Sequence, residues 1–173
     1  MAIQKILRLG HPGLREVCVP VRRFRGDALA RLVADLRDTL ADFRVRNGFG
    51  RGIAAPQIGS GQRVVFLDVG TEIPLINPRI RRRSRTRMTL WDDCFSFPDL
   101  VVKVRRHLRV EVDYQDPAGH PHTLRAEGAL AELLQHEIDH LDGILAIDRA
   151  VDSRHILYRD EWLKLGETKG LPL

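Results

Sequence analysis

The string QHEIDH at residues 135–140 offers two imidazoles and a carboxylate that could hold one divalent ion and activate a water beside it. On a helix the i, i+4 spacing stacks His136 and His140 on one face, with ring tips able to converge on a shared ion. Glu137 lies one position round from His136, where its carboxylate can reach a water on that ion without being a ligand, as a general base must. The chemistry of such a set is hydrolysis. The pattern H-E-x-x-H fixes few positions, so a chance grouping on a solvated face is the competing reading.

The elements that must position these residues follow from periodicity. Ala126 to Leu141 reads AEGALAELLQHEIDHL, rich in helix formers, and Gly143 follows as a stop. Leu130, Leu133, Leu134, Ile138 and Leu141 recur at three- and four-residue intervals, which predicts a core helix that carries its site inward. Residues 27–45, with Asp27 at the start, predict an N-terminal helix, and SRHILYRDEWLKL at 153–165 predicts a C-terminal one. The glycine-rich GFGRGIAAPQIGSGQ at 48–62 predicts a loop or tight backbone passage. RVVFLDV, PLINP, LVVKV and LRVEVDYQ read as strands, and QDPAGH at 115–120 as a turn back towards the metal helix. The expected fold class is α+β: small antiparallel and mixed β-sheets packed around the central HEIDH helix, plus N- and C-terminal helices, in one domain spanning 1–173.

A catalytic divalent metal usually takes three protein ligands and keeps one position open, so two histidines need a partner. Cys94, Asp92, Asp93, His155 and Glu161 are the candidates. Cys94, within WDDCFSFP, would make a Cys/His/His site suited to iron(II), zinc or cobalt, although a lone cysteine is more often a buried hydrophobe. Cys18 fits that simpler role.

The 173 residues, with 43% hydrophobic and 29% charged side chains, describe a globular chain large enough to fold around its own core. Neither a signal peptide nor a membrane span is expected, and two well-separated cysteines suit a reducing cytoplasm. The net charge of +5 is concentrated in RIRRRSRTR from Arg79 to Arg87. A solvated strand or hairpin edge is the preferred reading of that stretch. Contact with RNA phosphates, as on a ribosome, is the sharper one, without aromatic residues for base stacking.

Three segments together resemble the peptide deformylases, metallohydrolases that remove the N-formyl group from nascent polypeptides. The family shares G-x-G-x-A-A-x-Q, E-G-C-L-S and H-E-x-D-H in fixed order. Here Gly50, Gly52, Ala54, Ala55 and Gln57 match the first motif, Cys94 and Ser96 the second, and His136, Glu137, Asp139 and His140 the third. HPGLREV and LINP match the family's flanks, and the resemblance runs from about residue 5 to about residue 150. It implies Cys94, His136 and His140 as ligands of one divalent metal, most often Fe2+, with Zn2+, Ni2+ or Co2+ as other occupants. It implies Glu137 as the acid/base that takes a proton from water and later delivers one to the leaving amine, so that formate and a free N-terminus result. Oxyanion donors would be the Gln57 amide and the backbone N–H of Phe95. Gly50 and Gly52 would let an N-formylated peptide approach and pair as an added strand.

Departures from the pattern are equally specific. Asp92 and Asp93 replace the family's Glu and Gly beside the cysteine, with Asp92 able to serve as a shorter acceptor behind a metal ligand. Arg51 stands between the glycines and Glu132 one turn before His136, where the family is apolar and borders, with Leu133, the pocket for the first side chain. The two charges could pair across the pocket rim, recognise a polar side chain of a different N-formyl substrate, or face solvent; the mutual pair is preferred. Val101 stands where the family often has a basic residue. A zinc peptidase using His155 or Glu161 is the alternative hydrolase, and a non-catalytic module with a basic face the alternative class. The chain is expected to act as a monomer.

Overall fold

The computed structural model describes residues 2–166. Helix α1, Asp27–Asn47, forms as its periodicity predicts, burying Leu29, Leu36, Leu40 and Phe43 along one face. Gly48 ends it in the left-handed conformation, φ 77°, where its N–H bonds to Arg44 O at 2.8 Å and a β-carbon would be strained.

A five-stranded sheet has the order β1-β2-β3-β6-β7, built from Gly52–Ala54, Val64–Asp68, Glu72–Arg83, Arg109–Gln115 and Pro121–Glu127. A three-stranded sheet, β4-β5-β8, uses Arg87–Asp93, Leu100–His107 and Ile156–Tyr158. Every ladder is antiparallel. The mixed component expected from sequence reduces, among the described residues, to one parallel bridge between Val19 and Gln62.

Helix α2, Ala129–Leu141, lies against the larger sheet on the face opposite α1. Alternation along β2 explains why its sequence is apolar from Val64 to Leu67: Val65 and Leu67 pack towards Leu134, Ile138 and Leu141 of α2, while Val64 and Phe66 pack towards Leu36, Leu40 and Phe43 of α1. Fully buried leucines of this kind each contribute roughly 1.5–3 kcal/mol of transfer free energy, so the helix that carries the motif is fixed by its own core face. A smaller cluster of Leu14, Phe97, Val102, Val104 and Leu145 packs around Cys94.

Three boundaries differ from expectation, each because tertiary pairing outcompetes local propensity. α2 starts at Ala129 rather than Ala126, since Pro121–Glu127 pairs along its length with β6 and Gly128, φ 61°, makes the turn. β4 was not expected; its seven residues pair with β5 from Arg87↔His107 to Asp93↔Val101. In the segment read as a C-terminal helix, Ser153–His155 is a 3-10 turn and Ile156–Tyr158 a strand on β5, leaving α3 only Arg159–Lys164. From Arg79 to Arg83, β3 pairs with β6 alone and its arginines are exposed, as the strand-edge reading of the basic stretch expects. No helix among the described residues is long and apolar enough to cross a membrane.

Candidate metal centre

The i, i+4 spacing on α2 brings His136 Nε2 and His140 Nε2 within 3.2 Å of each other. The turn after β4 delivers Cys94, closed by a hydrogen bond from Phe97 N to Cys94 O at 3.1 Å, and its Sγ lies 3.2 Å from His140 Nε2. All three donor atoms fall within 4.8 Å of one another and all three residues are buried. One thiolate and two imidazoles converging in this way fit a divalent transition metal. Of the other candidate ligands, His155, whose Nδ1 is bonded to Asp152 at 2.9 Å, and Glu161, paired with Lys164 at 2.6 Å, lie elsewhere, whereas Asp92 and Asp93 adjoin the site, Asp92 bonded to His136 and grouped with it and Glu132.

Behind the donors sits a chain of charges. Asp92, the penultimate residue of β4, accepts from His136 Nδ1 at 2.9 Å, which leaves Nε2 as the donor to an ion. Arg106 of β5 bonds Asp92 at 3.1 Å and also contacts Asp139, which Arg149 holds in turn at 2.9 Å. Burial alone would raise the Asp92 carboxyl, but the charges of His136 and Arg106 hold it down to about 2. Burial likewise works against a charged His136, yet Asp92 keeps its imidazole well above the ordinary histidine value. Burial and the nearby His136 charge push His140 well below that value, and burial raises the Cys94 thiol. A bound cation reverses the last of these effects, because it favours thiolate over thiol and neutral imidazole over imidazolium.

Glu137, one position round α2 from His136, lies against β1 and lines the same cavity as Cys94 and His136. A β-carbon at position 52 would come within 2.9 Å of Glu137 Oε1 and 2.8 Å of Leu67 Cδ2, so only glycine lets the strand pass this carboxylate. Glu137 Oε2 is buried and bonded to nothing among the described residues, and burial raises the carboxyl to about 7. Gln57, in a 3-10 turn at Ala55–Ile58, both caps the glycine loop and faces the site. Its Oε1 accepts from Ala54 N at 2.9 Å, which turns Nε2 towards Cys94 Sγ at 3.6 Å and Ser96 Oγ at 3.4 Å. Phe95 stacks on Phe43 with ring centroids 3.8 Å apart, and its ring fills the space a side chain at Gly50 would need.

Beside Glu137 and Cys94 is a cavity of 30 Å³, whose lining includes Gly50, Arg51, Gly52, Asp93, Glu132 and Leu133. Arg51 Nη2 lies 2.9 Å from Glu132 Oε2, and Arg51 Nη1 bonds Ala129 O at 3.3 Å, so the two charges pair with each other. Glu132 is 2% exposed; burial and the Asp92 charge raise its carboxyl to about 8, with His136 and Arg51 pulling the other way. Asp93 is held by Arg159 at 2.7 Å, and the same guanidinium bonds Pro98 O and lies 4.3 Å over the Phe49 ring. Val101 is fully buried beside Trp91 and Trp162 and lines none of this cavity. Arg106 and Arg159 were not singled out from sequence. An arginine in an ordinary strand or helix start carries no local mark of its partner, and only the placement of Asp92 and Asp93 in space identifies them.

Residues 3–155 match the family model described as polypeptide deformylase. The chain is 43% identical over 150 residues to a peptide deformylase of Heliobacterium modesticaldum, covering 86% of this chain and 95% of that one. It is 36% identical over 176 residues to one of Rhizobium meliloti, covering 98% of each. Among solved structures, the peptide deformylase of Thermotoga maritima superposes with a TM-score of 0.82 at 33% identity, covering 88% of this chain and all of that one. With the same TM-score and identity, a peptide deformylase of Synechococcus elongatus in complex with actinonin covers 88% and 81%. A match over most of the chain, at these identities and on the same fold, leaves one assignment: the protein belongs to the polypeptide deformylase family.

Proposed function

We propose that this chain hydrolyses the formamide at the N-terminus of N-formylated peptides, releasing formate and a free amine. The observation that carries the reading is the meeting of Cys94, His136 and His140 around one point, with a buried Glu137 oxygen alongside that has no partner among the described residues. A divalent ion held by those three residues supplies Lewis acidity for activating water and polarising a carbonyl. The chain's own groups do the rest. Glu137 Oε2 takes the proton of the attacking water and returns it to the leaving nitrogen, a task suited to a carboxyl raised towards neutrality. Gln57 Nε2, aimed by the Ala54 N–H, and the Phe95 N–H donate to the oxyanion as it forms. β1 is the edge strand of its sheet, so a peptide can pair along Gly52–Ala54. Asp92 fixes the ring of His136, and Arg106 fixes Asp92.

Iron(II) is the proposed ion, on the resemblance of the ligand set; zinc, nickel and cobalt suit the same donors. Elemental analysis of protein purified without oxygen tests it, and a site filled by another ion would displace the proposal. A cytoplasmic location suits a Cys94 that must remain a free thiol. The exposed Arg79, Arg81, Arg82 and Arg83 suit contact with ribosomal phosphates, for which salt-sensitive cosedimentation with ribosomes is the check. A monomer is expected by sedimentation.

The central test is a formate-release assay on iron-loaded protein, with formyl-methionyl peptides as the first substrates, since methionine is what the resemblance implies. Turnover supports the reading, and no formate from any formyl peptide would remove it.

A further inference from the structure

Resting on the deformylase reading, we propose that the Arg51–Glu132 ion pair sets the side-chain selectivity of the site, against long apolar first residues and in favour of short ones. Three observations carry this. The pair lies on the wall of the cavity that adjoins Glu137 and Cys94, so a formyl group held at those residues would bring the side chain of its own residue against the pair. With the pair closed, the whole cavity, which also takes in Gln57, Cys94 and His136, has a volume of 30 Å³, room for about two waters, so no separate long recess opens beside the reacting groups. Finally, the pair is built in rather than incidental. Glu132 is buried on α2, and Arg51 is anchored twice, to the Glu132 carboxylate at 2.9 Å and to Ala129 O at 3.3 Å.

To admit a long apolar chain, Arg51 must leave Glu132, and the buried carboxyl, charged or protonated, would then face a thioether or hydrocarbon without its hydrogen-bond partner. Leaving a buried polar group unpaired is costly in either protonation state. A methyl or hydroxymethyl side chain asks the least of the closed pair. It presents little apolar surface to the charges, and a hydroxyl finds acceptors and donors on the wall. The rest of the lining does not compensate, because Leu133 and the Phe95 ring are already packed against the core. Arg51 and Glu132 are therefore specificity determinants that do not touch the reacting atoms.

The experiment compares kcat/KM for formyl-Ala, formyl-Ser, formyl-Met and formyl-norleucine peptides with a common second and third residue, on the iron-loaded wild type and on Arg51→Ile/Glu132→Ile. The wild type is expected to process the alanyl and seryl peptides at least as well as the methionyl one. In the double variant the ratio of methionyl to alanyl kcat/KM should rise by about tenfold or more, the scale at which apolar pockets discriminate side chains. Calorimetric binding of the same peptides to metal-loaded Glu137→Gln, with and without the two isoleucines, should show the same reordering without turnover. A wild type that prefers formyl-Met, or a ratio unmoved by the double variant, overturns the proposal while leaving the deformylase reading intact. Absence of formate from every peptide removes both. If the double variant does not fold, the wild-type ratio decides alone.

Discussion

Asp92 engages His136 through both carboxylate oxygens, with Oδ1 at 2.9 Å and Oδ2 at 3.1 Å from Nδ1. The aspartate that immediately precedes the cysteine turn therefore sets the ring angle and tautomer of a histidine on a different element. It does so with Arg106 behind it, in surroundings that exclude water. A glutamate in the same place would carry one more methylene; here the shorter side chain reaches the ring at ordinary hydrogen-bond distance.

Asp92→Ala should weaken metal binding by about 10- to 100-fold, since His136 loses the partner that orients it and raises its basicity. Competition with a chromogenic chelator reads this directly. An affinity equal to that of the wild type would mean that the contact is structural only.

Glu137→Gln should retain one metal per chain while kcat falls by about 10²- to 10⁴-fold, the usual range for losing a general acid/base. Elemental analysis and formate release on the same preparation separate the two effects. Loss of the metal along with activity would instead make Glu137 a ligand.

The pH dependence of stability in the metal-free protein follows from Asp92. Its folded value of about 2 lies below the ordinary 3.8 of an aspartate, so between those values the unfolded chain binds the proton more readily. Its contribution, roughly 2 kcal/mol, is fully present above pH 3.8 and is lost as the pH falls through about 2. Urea unfolding of wild type and Asp92→Asn should thus give a stability difference that narrows from pH 4 to pH 2.5. A difference that stays constant across that window would contradict the pairing.

Arg159→Ala removes the ion pair to Asp93, the bond to Pro98 O and the contact with Phe49 together. We expect a stability loss of about 1–3 kcal/mol and a raised KM, because Asp93 and Phe49 both line the cavity. Arg159→Lys should restore the charge without the stacked, forked geometry and recover only part of the KM. An unchanged KM in both variants would confine Arg159 to a purely structural role.

Much of the site was legible in the chain because helical geometry is local. His136, His140 and Glu137 sit on one short run whose apolar residues dictate which face is buried, and the glycines at 50 and 52 mark a backbone passage that tolerates no side chain. Cys94 was legible only through likeness to a family, since nothing within WDDCFSFP distinguishes a ligand from a buried thiol. β4 and β7 went unread for a related reason. Their sequences are rich in arginine, aspartate, threonine and glutamate, and they become strands because β5 and β6 supply the hydrogen bonds.

The sequence by itself thus determined the metal helix, the α1 helix, the α+β class and the residue types of the chemistry, all of which depend on spacing along a few turns or strands. Only the tertiary structure decided which distant charges meet: Arg106 with Asp92, Arg159 with Asp93, and Arg51 with Glu132. Such meetings join residues on different elements, and their energies depend on burial and on a distance of a few ångströms, quantities that exist only once the chain has folded.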